Sequence, residues 1–126
     1  MPTMTLDALK TRTNGRDANI AYKTRAVWHT DKGGTIVSIE HHGNVIAVIS
    51  PNILIVTGAG WNSVTTANRL RKILRDNNIG CHVFVKDGLM RIRYDNVDYY
   101  LSHNAAHFAR DEHGQWGQMH IIDNVR

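Results

Sequence analysis

The sequence predicts an α+β domain in which an antiparallel β-meander and a C-terminal β-hairpin pack on one amphipathic helix. Apolar segments separated by short turn sequences predict the meander within residues 24–57, and a second alternating pair around residues 86–88 predicts the hairpin. Apolar residues at spacings near 3.6 predict the helix within residues 63–77. The 126 residues suit one domain, which we divide into an N-terminal arm (1–22), an α+β core (23–101) and a C-terminal tail (102–126).

The N-terminal segment is mainly polar and includes Thr11, Thr13, Asn14, Gly15 and Asn19. It shows neither the period of a helix nor the alternation of a strand. We therefore expect residues 1–22 to form an arm or loop, with a short helical turn around residues 6–9.

Four strands are predicted between residues 24 and 57, and each is bounded by residues that favour turns. Asp31-Lys32-Gly33-Gly34 separates the first two strands, Gly43-Asn44 the next two, and Pro51-Asn52 the last two. Glycine adopts positive φ at low steric cost, which tight turns require. Because the connections are short, consecutive strands should pair antiparallel. The strands are expected around residues 24–30, 36–39, 45–49 and 53–57.

A helix is predicted after Gly58-Ala59-Gly60 interrupts the strand pattern. The side chain of Asn62 or Ser63 can accept a hydrogen bond from a free backbone N–H at its start, and Asn77-Asn78 followed by Gly80 ends it. The apolar stripe expected to face the sheet consists of Val64, Ala67, Leu70, Ile73 and Leu74. The cations that fall mostly on the opposite side are Arg71, Lys72 and Arg75.

The hairpin is predicted around Lys86-Asp87-Gly88, a strong turn sequence. Before the turn, the alternating residues are Cys81, Val83 and Val85 on one face and His82, Phe84 and Lys86 on the other. After it, Arg91 and Arg93 share one face, and Met90, Ile92 and Tyr94 share the opposite one. A further strand is expected over residues 97–101. In the tail, residues 105–110 are predicted to form a helical turn and residues 119–125 a strand or a packed tail.

Composition and the N-terminal sequence exclude several classes of protein. A hydrophobic fraction of 42% and a charged fraction of 21% are typical of a folded soluble domain rather than of a disordered chain. The single cysteine, Cys81, cannot form an intramolecular disulfide. No basic start precedes an apolar run, and no apolar run approaches the ~20 residues that cross a bilayer. We therefore expect a cytoplasmic protein that does not enter a membrane.

The net charge of +4 is distributed unevenly along the chain. Residues 1–25 carry +3 and residues 60–93 carry +5, whereas residues 26–59 and 94–126 carry −1 and −3. Such asymmetry suggests a surface that faces a polyanion. The alternative is a solvated charged surface that binds nothing.

Eight histidines raise the question of a metal site. His103 and His107 are four residues apart and would share a face if their segment were helical. Further ligands nearby are Asp111, Glu112 and His113. The residue after His103 is Asn104, where a metalloprotease helix has its general base, glutamate. We expect neither a metal nor a cofactor.

Catalysis by a nucleophile or by a histidine pair has little support in the sequence. Cys81 and His82 are neighbours on a predicted strand and would point apart, which does not suit a nucleophile and its base. Two histidines could act as acid and base on a phosphodiester, but the sequence selects no pair. We expect no catalytic residue.

The segment from Gly60 to Leu74 opens with Gly60-Trp61-Asn62-Ser63-Val64-Thr65-Thr66-Ala67-Asn68-Arg69-Leu70. This motif, with Thr11-Arg12-Thr13-Asn14-Gly15-Arg16 and His42-Gly43-Asn44 before it, resembles a family of small proteins of tailed bacteriophages. The resemblance covers residues 10–75. One departure is Arg71, where the family pattern usually has asparagine. The resemblance implies a phage origin and the cytoplasm of the host cell, and it implies no reaction.

The charge pattern predicts a non-catalytic accessory protein that binds nucleic acid through a basic surface. Lysine and arginine contact phosphates without regard to base sequence, and such binding weakens steeply with salt. The predicted contacts are Lys10, Arg12, Arg16, Arg71, Lys72, Arg75, Arg91 and Arg93. Exposed aromatics such as Trp61 or Tyr99 could stack on bases, although packing on the core is their commoner role. The sequence does not distinguish DNA from RNA.

The alternative function is that of a phage protein that binds and modulates a host protein. A basic face would then meet an acidic host surface. Apolar strands could also pair edge to edge with a second copy of the chain, which would give a homodimer.

Overall fold

The computed structural model describes residues 1–32 and 34–123, and it confirms the predicted α+β class with antiparallel sheets. Gly33 in the first predicted turn and residues 124–125 of the last predicted strand lie outside the described residues. Neither helix in the described part of the chain is long and apolar enough to cross a membrane.

A seven-stranded sheet forms the larger layer of the fold. Its strands are β1 (Ala18–Ala21), β2 (Thr24–Asp31), β3 (Gly34–His41), β4 (Asn44–Ile49), β5 (Ile53–Thr57), β9 (Ala105–Ala109) and β10 (His120–Ile122). They lie in the order β1-β2-β3-β4-β5-β9-β10, and each neighbouring pair is antiparallel. The predicted meander is therefore confirmed as β2 to β5.

The second layer consists of two helices and a three-stranded sheet. Its elements are α1 (Leu6–Thr13), α2 (Val64–Asp76), β6 (His82–Lys86), β7 (Leu89–Tyr94) and β8 (Val97–Tyr100). The turn between β6 and β7 places Asp87 at φ 54° and Gly88 at φ 74°, as a two-residue hairpin turn with two positive φ angles requires. The predicted hairpin is confirmed, and the further strand predicted over residues 97–101 is confirmed as β8, the third strand of this sheet.

One face of the large sheet carries the hydrophobic core. Register partners on this face include Leu54 and Phe108, which are fully buried. Leu9 of α1, Leu70 of α2 and Ile92 of β7 complete the same cluster from the second layer. The outer faces of the two sheets therefore point away from each other on opposite sides of the core.

The helix α2 begins at its predicted cap. Ser63 Oγ accepts a hydrogen bond from the Thr66 amide at 3.1 Å. The other candidate, Asn62, uses its side-chain oxygen to accept a hydrogen bond from the Met90 amide at 2.8 Å. Val64 is 63% exposed, so its predicted place in the buried stripe is wrong. At ~100° per residue, Val64 lies about 120° around the helix from Leu70, outside the face that the core covers.

The N-terminal segment is part of the core, so its interpretation as an arm or loop is wrong, whereas the helical turn expected around residues 6–9 is present within a longer helix. Residues Leu6–Thr13 form α1, capped by Thr5, and Met4 and Leu9 are fully buried. The Met4 amide donates to the Asp76 carboxylate at 2.9 Å, and Asn77 Nδ2 donates to the Met4 carbonyl at 2.9 Å. The period went undetected because few apolar residues mark the buried side of so short a helix.

The C-terminal segment also belongs to the large sheet. The helical turn predicted for residues 105–110 is wrong, because Ala105–Ala109 forms β9 between β5 and β10. Alanine favours helices locally, but hydrogen-bonded neighbours on both sides and burial of Phe108 override that preference. Residues 105–123 thus contribute two strands to the sheet rather than a tail beside it.

Candidate functional site

The outer face of the three-stranded sheet combines cations with aromatic rings. Val83, Met90 and Ile92 are buried on the inner face, so strand alternation places their sequence neighbours outside. The outward residues are His82, Phe84, Lys86, Leu89, Arg91, Arg93, Asp98 and Tyr100. We call this surface the arginine–aromatic face.

Strand register arranges the face in rows. Arg91 on β7 lies between Phe84 on β6 and Tyr100 on β8. In the next row, Arg93 lies between His82 and Asp98. Each arginine therefore has an aromatic or imidazole neighbour on an adjacent strand.

The side chains form cation–π and ring contacts across these rows. The guanidinium of Arg91 lies 5.0 Å from the centre of the Tyr100 ring, and that of Arg93 lies 5.2 Å from the Phe84 ring. The His82 and Phe84 rings are stacked, with centroids 5.7 Å apart and planes 17° apart. In the two arginine–ring pairs, the guanidinium is attracted to the electron-rich face of the aromatic ring. Tyr100 is 54% exposed, so the part of its ring that Arg91 does not cover is open to a ligand.

Two carboxylates partly neutralise the face. Arg93 donates to Asp98 through Nε at 2.7 Å and through Nη2 at 3.2 Å. This hydrogen bond lowers the pKa of Asp98 and raises that of Arg93. Arg91 lies 3.9 Å from the Asp87 carboxylate, and its buried Nε has no hydrogen-bond partner among the described residues. The Arg93 guanidinium is therefore held in place by two hydrogen bonds before any ligand binds.

Two of the predicted cations on α2 adjoin this face. Arg71 Nη1 donates to the Val83 carbonyl of β6 at 2.8 Å. Arg71, Arg75 and His82 line one groove of about 490 Å³, and His82 is also the register partner of Arg93. The structure thus connects the α2 arginines to the arginine–aromatic face through His82.

The other predicted cations lie elsewhere. Lys72 is half-buried and forms an ion pair with Asp76 at 2.7 Å. Lys10, Arg12 and Arg16 are exposed on or just after α1, and none of them lines the groove of Arg71. The contacts of α1 run instead to β2, where Trp28 Nε1 donates to Thr13 Oγ1 at 3.0 Å, and to the C-terminal end of α2.

The sequence interpretation missed the aromatic half of the site. Phe84 and Tyr100 were not assigned a role, although a two-residue turn at Asp87-Gly88 fixes Phe84 opposite Arg91. Of the two aromatics that were considered, Tyr99 is half-buried against the core. Trp61 is 43% exposed and stacks on His42 with ring centroids 5.4 Å apart, so its predicted packing on the core is wrong.

The described residues offer little for metal binding or thiol chemistry. None of their histidine, cysteine, aspartate and glutamate side chains gather in groups of three or more that could hold a metal ion. His107 lies on β9, so the helical face that it was to share with His103 does not form. Burial raises the pKa of Cys81 to about 11, which keeps the thiol protonated at neutral pH.

A buried polar cluster joins β2, β3 and α2. Thr24 Oγ1 donates to the Tyr22 carbonyl at 2.9 Å and accepts from Arg69 Nε at 3.0 Å. His41 Nδ1 lies 3.0 Å from the same oxygen, which fits a neutral imidazole with its hydrogen on Nδ1. Burial, followed by the charges of His42 and Arg69, lowers the pKa of His41 below 6.5.

This lowered pKa predicts a loss of stability in acid. Below about pH 6.5 the unfolded chain protonates His41 more readily than the folded protein does, so the free energy of unfolding falls as the pH falls. We expect H41Q to show a smaller decrease between about pH 7 and pH 5 in chemical denaturation. His29→Gln, at an exposed position, is the control that keeps the wild-type slope. Equal slopes for wild type and H41Q would contradict the prediction.

Comparison with known protein families identifies a match over most of the chain. The family model described as Kyanoviridae Gp96 protein matches residues 1–115. No curated protein and no solved structure matches the chain.

Proposed function

The chain belongs to the Kyanoviridae Gp96 family of phage proteins, and on that premise we propose that it is a non-catalytic accessory protein that binds single-stranded nucleic acid in the cytoplasm of the host cell. The arginine–aromatic face is the proposed contact surface. The groove of Arg71 and Arg75 extends it toward α2.

The observation that carries the proposal is the row in which Arg91 lies between Phe84 and Tyr100. An aromatic ring can stack on any base, and such stacking contributes about 1–3 kcal/mol per base. The arginine beside it can contact the phosphate that joins successive nucleotides. Aromatic rings and cations at neighbouring strand positions therefore suit a chain of alternating bases and phosphates.

The same arrangement favours unpaired bases over a duplex. Bases in a duplex already stack on one another, and their faces are closed to a protein side chain. A flat sheet surface with an exposed Tyr100 offers a stacking platform instead. Because Asp98 and Asp87 already engage two of the cations, we expect stacking to supply much of the affinity.

The test measures fluorescence anisotropy of labelled single-stranded DNA, single-stranded RNA and duplex DNA. We expect the single strands to bind more tightly than the duplex, and we expect binding to weaken from about 50 to about 200 mM salt. Y100A should weaken single-strand binding by about 5- to 150-fold, as the loss of one stacked base predicts. Tyr22→Ala removes an equally large side chain that is 74% exposed in the turn between β1 and β2, and it should leave the affinity unchanged.

Two outcomes would overturn the proposal. The first is the absence of binding to every nucleic acid at the lower salt concentration. The second is equal weakening by Y100A and Y22A, which would place the contact elsewhere. If nucleic acid does not bind and a nuclease-treated host lysate yields a defined protein that Y100A fails to retain, the same face serves a host protein instead.

A further inference from the structure

The outer face of the seven-stranded sheet is mostly apolar on its central strands, β4 and β5. Strand alternation places Ile49, Leu54 and Val56 toward the core and their neighbours Val48 and Ile55 outward. The register continues the outward row across five strands as Val27, Ser38, Val48, Ile55 and His107. We call this surface the outer large-sheet face.

The sequence of the central strands is that of a sheet buried on both sides. An antiparallel sheet with one solvated face usually alternates apolar and polar residues. Residues 45–49 and 53–56 are instead continuously apolar. One face packs on the core, whereas the other leaves Val45, Ile53 and Ile122 between 39% and 44% exposed. The pattern therefore predicts burial of both faces of the large sheet, whereas the single chain buries only the face that packs on the core.

The charge on this face favours a neutral partner. Apart from the histidines His29, His107 and His120, its outward strand positions include one cation and one anion with described side chains, Arg25 and Glu40, which are register partners at one end of the face. The cations of the predicted basic surface all lie on or beside other elements, α1, α2 and β7. A polyanion or an acidic protein would find no excess positive charge here, whereas a second copy of the same face brings no like-charge repulsion to its centre.

The size of the face suits a dimer. Seven strands about 4.8 Å apart, with an average length of about five residues, span about 29 by 17 Å over the whole face. The flat area of the face is thus about 500 Å², without the additional area of protruding side chains. This is close to the ~600 Å² per partner at which stable interfaces begin. Two-fold pairing of one patch with itself is the commonest form of assembly.

From these observations we propose that a second copy of the chain packs against the outer large-sheet face, sheet on sheet. Strand edges are less suited to pairing, because β10 has three residues and β1 carries a bulge between Asn19 and Ala21. The arginine–aromatic faces would point outward at both ends of the dimer.

Sedimentation at several protein concentrations tests the proposal. We expect the wild type to have twice the mass of the 14.2 kDa chain. Ile55→Glu, at the centre of the face, should shift it to a monomer, and so should Ile53→Lys at a position already 39% exposed. Tyr22→Lys is the control that remains dimeric, and far-UV circular dichroism checks that each variant is folded.

A wild type that is monomeric at every concentration overturns the proposal. So does a dimer that both I55E and I53K, when folded, leave intact. The readout is mass rather than nucleic-acid binding, so a folded monomer that still binds single strands would refute the dimer and retain the proposed function. A dimer that binds no nucleic acid would refute the proposed function and retain the dimer.

Discussion

F108A is expected to lower the free energy of unfolding by about 3–5 kcal/mol. Phe108 is fully buried and faces Leu54 across the pairing of β5 with β9. Its removal leaves a cavity between the large sheet and the second layer, and the surrounding strands can close it only in part. Because domains of this kind are stable by roughly 5–15 kcal/mol, the loss is a large fraction of the total. Urea denaturation measures it as a lower transition midpoint.

The matched control is Phe84→Ala, the same substitution on the arginine–aromatic face. Phe84 is half-buried and contacts His82 and Arg93 rather than the core. Its replacement should cost much less stability than F108A. Equal losses, or a negligible loss for F108A, would mean that β9 does not complete the large sheet.

The elements that could be predicted depend on neighbours close in sequence. The strands β2 to β5 follow one another through short turns, so apolar runs and turn residues were sufficient to place them. The cap at Ser63 and the turn at Asp87-Gly88 are likewise local. Each of these features is determined within about ten residues of itself.

The strand β9 could not be predicted in this way because its partner is distant. Ala105–Ala109 pairs with Ile53–Thr57, about half the chain away. Within its own window the segment offers alanines, which favour a helix, and a single large apolar residue. Residues 105–109 form a strand because they pair with the open edge of β5. No pattern within these residues indicates that this edge is available.

The candidate site likewise combines features that local sequence predicts with features that depend on more distant residues. Arg91 and Arg93 were assigned to one face from alternation alone, and the structure places them there. Tyr100 joins them only because the turn at Asp95-Asn96 sets the register of β8. The ion pairs of Lys72 with Asp76 and of Arg93 with Asp98 depend on side-chain geometry, which a count of charges along the chain does not contain.

The N-terminal segment is anchored to the core, although its sequence shows little sign of burial. Leu9 is fully buried, and Thr13, one turn later on the same side of α1, donates to the Leu9 carbonyl at 2.8 Å. L9A is expected to lower the free energy of unfolding by about 2–5 kcal/mol, the range for deleting a buried leucine side chain. Leu89→Ala is the matched control, since Leu89 is 38% exposed on β7, and it should cost far less. If L9A and L89A both unfold at the same denaturant concentration as the wild type, residues 1–22 form the detached arm that their polar sequence suggests. If only L9A lowers the free energy of unfolding by a large amount, one buried side chain is enough to anchor this polar segment to the core.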